Sequence, residues 1–139
     1  EKDAHNHILG YCIVNDISER EWQMEKMGQW TKGKSADSFG PTGPYLVTKE
    51  EIPDVQKLNL SLDLNNKRMQ TGNTSKMIFS ISFILSYLSN FMSLQPGDIV
   101  TTGTPPGVGM GKKPPLYLKP GDEMHLSIDH LGNQHQKVR

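Results

Sequence analysis

The sequence predicts an α+β domain in which strands dominate, and three observations carry that expectation. Thirteen Gly and nine Pro among 139 residues describe a chain that turns often. Leu58, Leu60, Leu62 and Leu64 alternate with Asn59, Ser61 and Asp63, the period-two pattern of a half-buried strand. Leu94-Gln95-Pro96-Gly97-Asp98 is echoed by Leu118-Lys119-Pro120-Gly121-Asp122. In each, Pro sets φ at the first central turn position and Gly can supply the positive φ that a type II turn needs at the second. No wider similarity accompanies the echo, so it does not define a repeat architecture.

The elements follow in order. Tyr11-Cys12-Ile13-Val14, after Gly10, reads as a short buried strand that ends at Asn15-Asp16. Ser18-Glu19-Arg20-Glu21 spells a capping box, which predicts a short helix to about Met27 with Gly28 as its stop. Thr31 to Pro44 reads as a Gly-, Ser- and Pro-rich loop before a small strand at Tyr45–Thr48. The leucine-rich strand turns at Asn65-Asn66 and returns through Lys67 to Gln70. Thr74 or Ser75 can cap the approach to one long helix, roughly Ile81 to Met92, with Ile81, Ile84, Leu85 and Leu88 on its apolar face. The two Pro-Gly-Asp turns are each expected to launch a strand, Ile99 to Thr102 and Glu123 to Asp129. Leu131-Gly132-Asn133 closes a final hairpin.

The length suits one domain of ordinary size. Fifteen Lys+Arg balance fifteen Asp+Glu, which argues against a protein built to neutralise nucleic acid or an anionic membrane. Hydrophobic residues at 35% make a lean core, yet the chain is too apolar for disorder. The longest apolar stretch, Met77 to Met92, is interrupted by five polar residues and falls short of the ~20 apolar residues of a spanning helix. Cys12, the single cysteine, sits in an apolar run and reads as a buried, inert thiol; a reducing, cytoplasmic setting is expected. The chain opens at Glu1 and runs directly into a strand, as a domain entered partway through would.

Three clusters hold the candidate chemistry. Asp16 lies between a strand and a predicted helix start, where helix-end amides favour a carboxylate; a solvated helix-start acid is the ordinary alternative. Arg20 and Gln23, three residues apart, share a helical face that emerges beside it. Gly33-Lys34-Ser35, with Gly28 upstream, imitates a phosphate loop. Its context is wrong, because Gly28 ends a helix and Pro41 and Pro44 follow soon after. Lys34 could instead counter an enolate or orient a carboxylate, or be a surface lysine. Thr102-Gly103-Thr104-Pro105-Pro106-Gly107-Val108-Gly109 could offer amides and hydroxyls to an anion, or simply turn. The five histidines show no ligand spacing backed by nearby Cys or acids, so zinc binding has no support in the sequence.

Taken together and in this order, the stretches Gly10–Arg20, Gln29–Pro44 and Pro96–Gly109, with Leu118–Asp122 behind them, resemble the fumarylacetoacetate hydrolase family. The resemblance implies a mixed β-sandwich roll with a few short helices and a divalent metal, Mg²⁺ or Mn²⁺, for which Ca²⁺ can stand in within a crystal. By the same resemblance Asp16 matches a metal-ligating aspartate and Lys34 the active-site lysine. Arg20, Gln23 and Thr104 match substrate-facing residues, and Ser38 falls where some members place a threonine near the metal. The family's Glu-x-Glu metal motif and lid histidine lie upstream of the aspartate, where only fifteen residues stand here. Residues 1–139 are therefore expected to be the C-terminal part of one catalytic domain, inactive alone. The implied substrate is a small 2-oxo acid or β-dicarbonyl compound, transformed through an enolate by C–C hydrolysis, decarboxylation or enol–keto isomerisation. The resemblance further implies a homodimer, and leaves a catalytically silent binding or assembly protein as the alternative.

Overall fold

The computed structural model describes residues 1–139. Strands β1 (Gly10–Val14) and β2 (Thr42–Thr48) form an antiparallel pair. Strands β3 (Asn59–Leu64), β4 (Lys67–Asn73), β5 (Glu123–Ile128) and β6 (Gly132–Lys137) form an antiparallel sheet in the order β4-β3-β5-β6. The one α-helix is α1 (Ile81–Leu88); the other helical pieces are single turns. The strand-dominated α+β class expected from the sequence is the class observed.

The period-two leucines do form β3, paired with β4 on one side and β5 on the other. Asn65 and Asn66 both take positive φ, 51° and 62°, as a two-residue hairpin turn with the strands' own twist requires. The two echoed turns are built alike. Asp98 and Asp122 each accept a hydrogen bond from the amide three residues earlier, at 2.7 and 2.8 Å, and Gly97 and Gly121 hold φ of 98° and 93°.

Ile13, Ile52, Leu58, Met124, Leu126 and Leu131 form the core, where β1 packs on the inner face of β5 and β6. The two sheets are joined through Gln134 on β6, which is buried. Its Nε2 donates to the carbonyls of Ile13 and Gly43, at 2.9 and 2.8 Å, a facing pair on β1 and β2. Its Oε1 accepts from Gln136 Nε2 at 2.6 Å. Large side chains remain outside this core, among them Phe79, Phe83, Tyr87 and Phe91, whose rings follow one another along α1 and its flanks, stacked from Phe79 to Tyr87 and tilted at Phe91.

Five sequence expectations need correction. The capping box does not cap: Glu21–Glu25 is one wide turn closed from Lys26 N to Glu21 O, and Ser18 is engaged elsewhere. The Thr31–Pro44 stretch is not all loop, since Trp30–Lys34 winds a tight turn and β2 starts at Thr42. Helix α1 ends at Leu88 rather than Met92, because the Asn90 side chain turns back onto the carbonyls of Ser86 and Tyr87. Its cap is Ser80, whose Oγ accepts from Phe83 N at 3.1 Å, while Asn73 caps the turn at Thr74–Lys76. Ile99 to Thr102 forms no strand; it finds no ladder partner in this chain, and Ile99 stays exposed.

Candidate active site

Asp16 is presented by a tight bend at the end of β1. Ile17 N donates to Asn15 O at 2.9 Å, a two-residue closure that throws the intervening side chain outward. The bend is fixed from below by Asn15, which is buried. Its backbone N donates to Pro41 O at 3.0 Å, and its side-chain Nδ2 donates to Gln136 Oε1, also at 3.0 Å. Asn15, Gln136 and Gln134 thus form one hydrogen-bonded chain from the inter-sheet joint to the base of Asp16.

Lys34 arrives from the other side. Its Nζ donates to Asp16 Oδ1 at 2.8 Å and to Ser18 Oγ at 2.6 Å. Gly33 explains how the lysine is delivered. A Cβ at Gly33 would lie 2.5 Å from Gln23 Cβ and 2.7 Å from Glu19 O, so only glycine lets the Trp30–Lys34 turn press against the Glu21–Glu25 turn. Glu19 N donates to Gly33 O at 2.8 Å and locks the two turns together. The Gly-Lys pair is therefore a packing device, with no strand entering it and no α-helix leaving it, which removes the phosphate-loop reading.

Stability alone does not account for this lysine. The Asp16 and Lys34 side chains are 49% and 33% exposed, and an ion pair so solvated contributes about 0–1 kcal/mol. An ammonium has three donors, and two are used, so one remains for an incoming acceptor. Arg20 lies along the same segment, with Nη1 donating to Gln23 Oε1 at 2.7 Å. Gln23, expected to face a ligand, is completely buried beneath that guanidinium, and its Nε2 finds no acceptor in the chain. Its observed partner is Arg20.

The remaining expected residues lie apart. Thr104 is exposed, and its Oγ1 accepts from Gln70 Nε2 of β4 at 2.8 Å. No hydrogen bond links it to Asp16, Lys34, Arg20 or Gln23. Ser38 is exposed in the turn closed from Phe39 N to Ala36 O. Cys12 is partly buried, and desolvation pushes its thiol above the ordinary range, in keeping with an inert group. Ser18 and the Asn15–Gln136–Gln134 chain were not singled out as site residues from the sequence.

Asp16 offers a carboxylate with one oxygen held by Lys34 and a second free of protein partners, at a solvent-facing bend. Mg²⁺ and Mn²⁺ suit oxygen ligands, and Mg²⁺ is commonly held by one or two carboxylates with several waters retained. Asp16 fits as a single ligand of such a site.

Comparison with known proteins identifies the family and the fold. The family model described as fumarylacetoacetate (FAA) hydrolase C-terminal matches residues 1–139. A Burkholderia cenocepacia protein, whose provisional name gives the hydrolase class and no substrate, is 56% identical over 140 residues, covering 100% of this chain and 50% of its own length. The chain spans about half the length of the curated relatives it matches. Among solved structures, a fumarylacetoacetate hydrolase from Exiguobacterium antarcticum superposes with a TM-score of 0.95 at 38% identity, over 99% of this chain and 49% of that one. A 2-hydroxyhepta-2,4-diene-1,7-dioate isomerase from Mycobacterium marinum gives 0.86 at 38%, over 99% and 50%. A fumarylpyruvate hydrolase from Pseudomonas aeruginosa, solved with Mn²⁺ and pyruvate, gives 0.87 at 33%, over 99% and 57%.

Proposed function

Because the chain belongs to the fumarylacetoacetate hydrolase family, we propose that it forms the C-terminal part of the catalytic domain of a divalent-metal-dependent enzyme. The substrates are small 2-oxo acids or β-dicarbonyl compounds, and the reaction passes through an enolate: C–C hydrolysis, decarboxylation or enol–keto isomerisation. The relatives' names support both hydrolytic and isomerising chemistry, and one relative was solved with Mn²⁺ and pyruvate. A homodimer belongs to the same reading.

The observation that carries the proposal is the Asp16–Lys34–Ser18 cluster. In it, Asp16 is the carboxylate that would hold the cation, which when bound supplies Lewis-acid stabilisation of a developing oxyanion. Asp16 and Ser18 orient the Lys34 ammonium so that its remaining N–H aims at the reacting oxygen. A fixed donor of this kind costs no reorganisation as charge develops. Arg20, steadied by Gln23, supplies a second fixed positive charge for a substrate carboxylate. We assign Thr104 to substrate contact and Ser38 to the surroundings of the metal on the family pattern alone.

Lys34→Met tests the reading. If Lys34 stabilises the enolate, its charge matters most in the transition state, so kcat falls roughly 10²–10³-fold with little change in KM. Steady-state kinetics of the full-length protein on an acylpyruvate and on oxaloacetate measure this. An unchanged kcat removes Lys34 from the chemistry, and nucleotide binding that disappears in the variant would restore the phosphate-loop alternative.

A further inference from the structure

The outward face of the β5–β6 hairpin carries a cluster that linear spacing conceals. His125 and His135 stand directly opposite each other in the register, with rings stacked 14° from parallel and centroids 4.1 Å apart. Glu123, two residues before His125, shares their face, and its Oε2 lies 3.7 Å from His135 Nε2. One ligand atom from each of the three residues falls within 4.8 Å of the others. The alternation of the strands places this face away from the core. Met124, Leu126 and Gln134 are buried on the inner side, and Gln136 reaches Asn15 there. The cluster and Asp16 are therefore on opposite sides of the sheet.

The geometry points to a second metal site at Glu123, His125 and His135, suited to a transition ion of the Zn²⁺ class. Two imidazoles and one carboxylate are a recurring ligand set for Zn²⁺, with water in the fourth position. Nitrogen ligands favour Zn²⁺, Cu²⁺ or Ni²⁺ over Mg²⁺, which prefers an all-oxygen shell. Tetrahedral ligands sit about 3.4 Å apart at ordinary Zn–N distances, and the present ligand atoms already lie within 4.8 Å of one another. Both histidines are exposed and reachable.

The neighbours are compatible with a bound cation. Lys137 Nζ pairs with Glu123 Oε1 at 3.0 Å, on the carboxylate oxygen that does not face His135, so Oε2 is left for the metal. Asp63 on β3 stands opposite His125 in the register, with its carboxylate engaged by Arg68. The acid thus adds negative charge beside the site, while Lys137 and Arg68 moderate it.

The test is calorimetric titration of Zn²⁺ into the full-length protein near neutral pH, with Mg²⁺ in large excess to fill hard oxygen sites. One Zn²⁺ site per chain is expected, weakened at least tenfold by His135→Asn and by Glu123→Gln. Asp16→Ala should leave it unchanged, as should His5→Gln with His7→Gln, which removes the other histidine pair. In the unmodified protein, the ring resonances of His125 and His135 should shift together as one equivalent of Zn²⁺ is added, a readout that survives a variant's failure to fold. Undiminished affinity in His135→Asn, loss of the site in Asp16→Ala, or no binding by the unmodified protein would each overturn the inference. None of these outcomes bears on the role of Lys34.

Discussion

Replacing Gln134 by Leu should unfold the joint between the two sheets, and the cost follows from its hydrogen bonds. Gln134 Nε2 donates to Ile13 O and Gly43 O in the buried interior, and its Oε1 accepts from the part-buried Gln136. Leucine fills a similar volume but strips two buried carbonyls and one amide of their partners. Each stranded group costs about 1–3 kcal/mol, while the added apolar burial returns about 1–2 kcal/mol. The Gln136 amide is part-buried and can turn to water, so the two carbonyls decide the cost: at about 2 kcal/mol each, less the apolar return, they leave a net loss of about 2–3 kcal/mol. For a cooperative unit of 139 residues, 1 kcal/mol moves Tm by about 3–4 °C, so Tm should fall by about 6–12 °C. Differential scanning calorimetry alongside urea denaturation measures both quantities, and an unchanged m-value keeps the comparison valid. A fall of under about 2 °C would refute this account of how the sheets are joined.

Asp16→Ala should weaken Mg²⁺ or Mn²⁺ binding by the full-length protein at least tenfold, about 1.4 kcal/mol, by calorimetry; equal affinity in the variant would exclude Asp16 as a ligand. Cys12 should alkylate more slowly in the folded protein than in denaturant, because burial raises its thiol pKa and lowers the thiolate fraction; an equal rate in both would exclude this. The linkage has a definite sign: the folded chain keeps that proton to higher pH than the unfolded chain, so this group lowers stability only as pH rises past the thiol's ordinary value. Ser18→Ala should cut kcat while changing Tm by less than about 2 °C, since the hydroxyl holds Lys34 and caps no helix.

What was legible in the sequence is what local chemistry determines. The β3 leucines, the Asn65-Asn66 hairpin and the two Pro-Gly-Asp turns each carry their own conformational instructions, and each was found where expected. Ile99 to Thr102 carries similar apolar and β-branched residues, yet a strand also needs a neighbour to complete its ladder, and no linear pattern supplies that. The histidines make the same point from the other direction. His125 and His135 lack any ligand spacing along the chain, and only the antiparallel register brings their rings to 4.1 Å.

The residue types of the candidate site can be read from the sequence, but the contacts that join them cannot. Ser18-Glu19-Arg20-Glu21 satisfies the capping-box spelling, and a hydroxyl at that position can serve either a helix amide or a passing ammonium. The choice between them is made by Gly33. By allowing two turns to touch, it brings Lys34 Nζ to 2.6 Å from Ser18 Oγ, and a charged donor competes strongly for a hydroxyl that a backbone amide would otherwise hold. Glu21 N then takes the Glu19 carboxylate instead, and the following turn winds wide rather than as a capped α-helix. The irregular backbone beside Asp16 is thus the consequence of assembling the carboxylate, the hydroxyl and the lysine at one point. Local pattern failed at the place where long-range contacts bring these groups together.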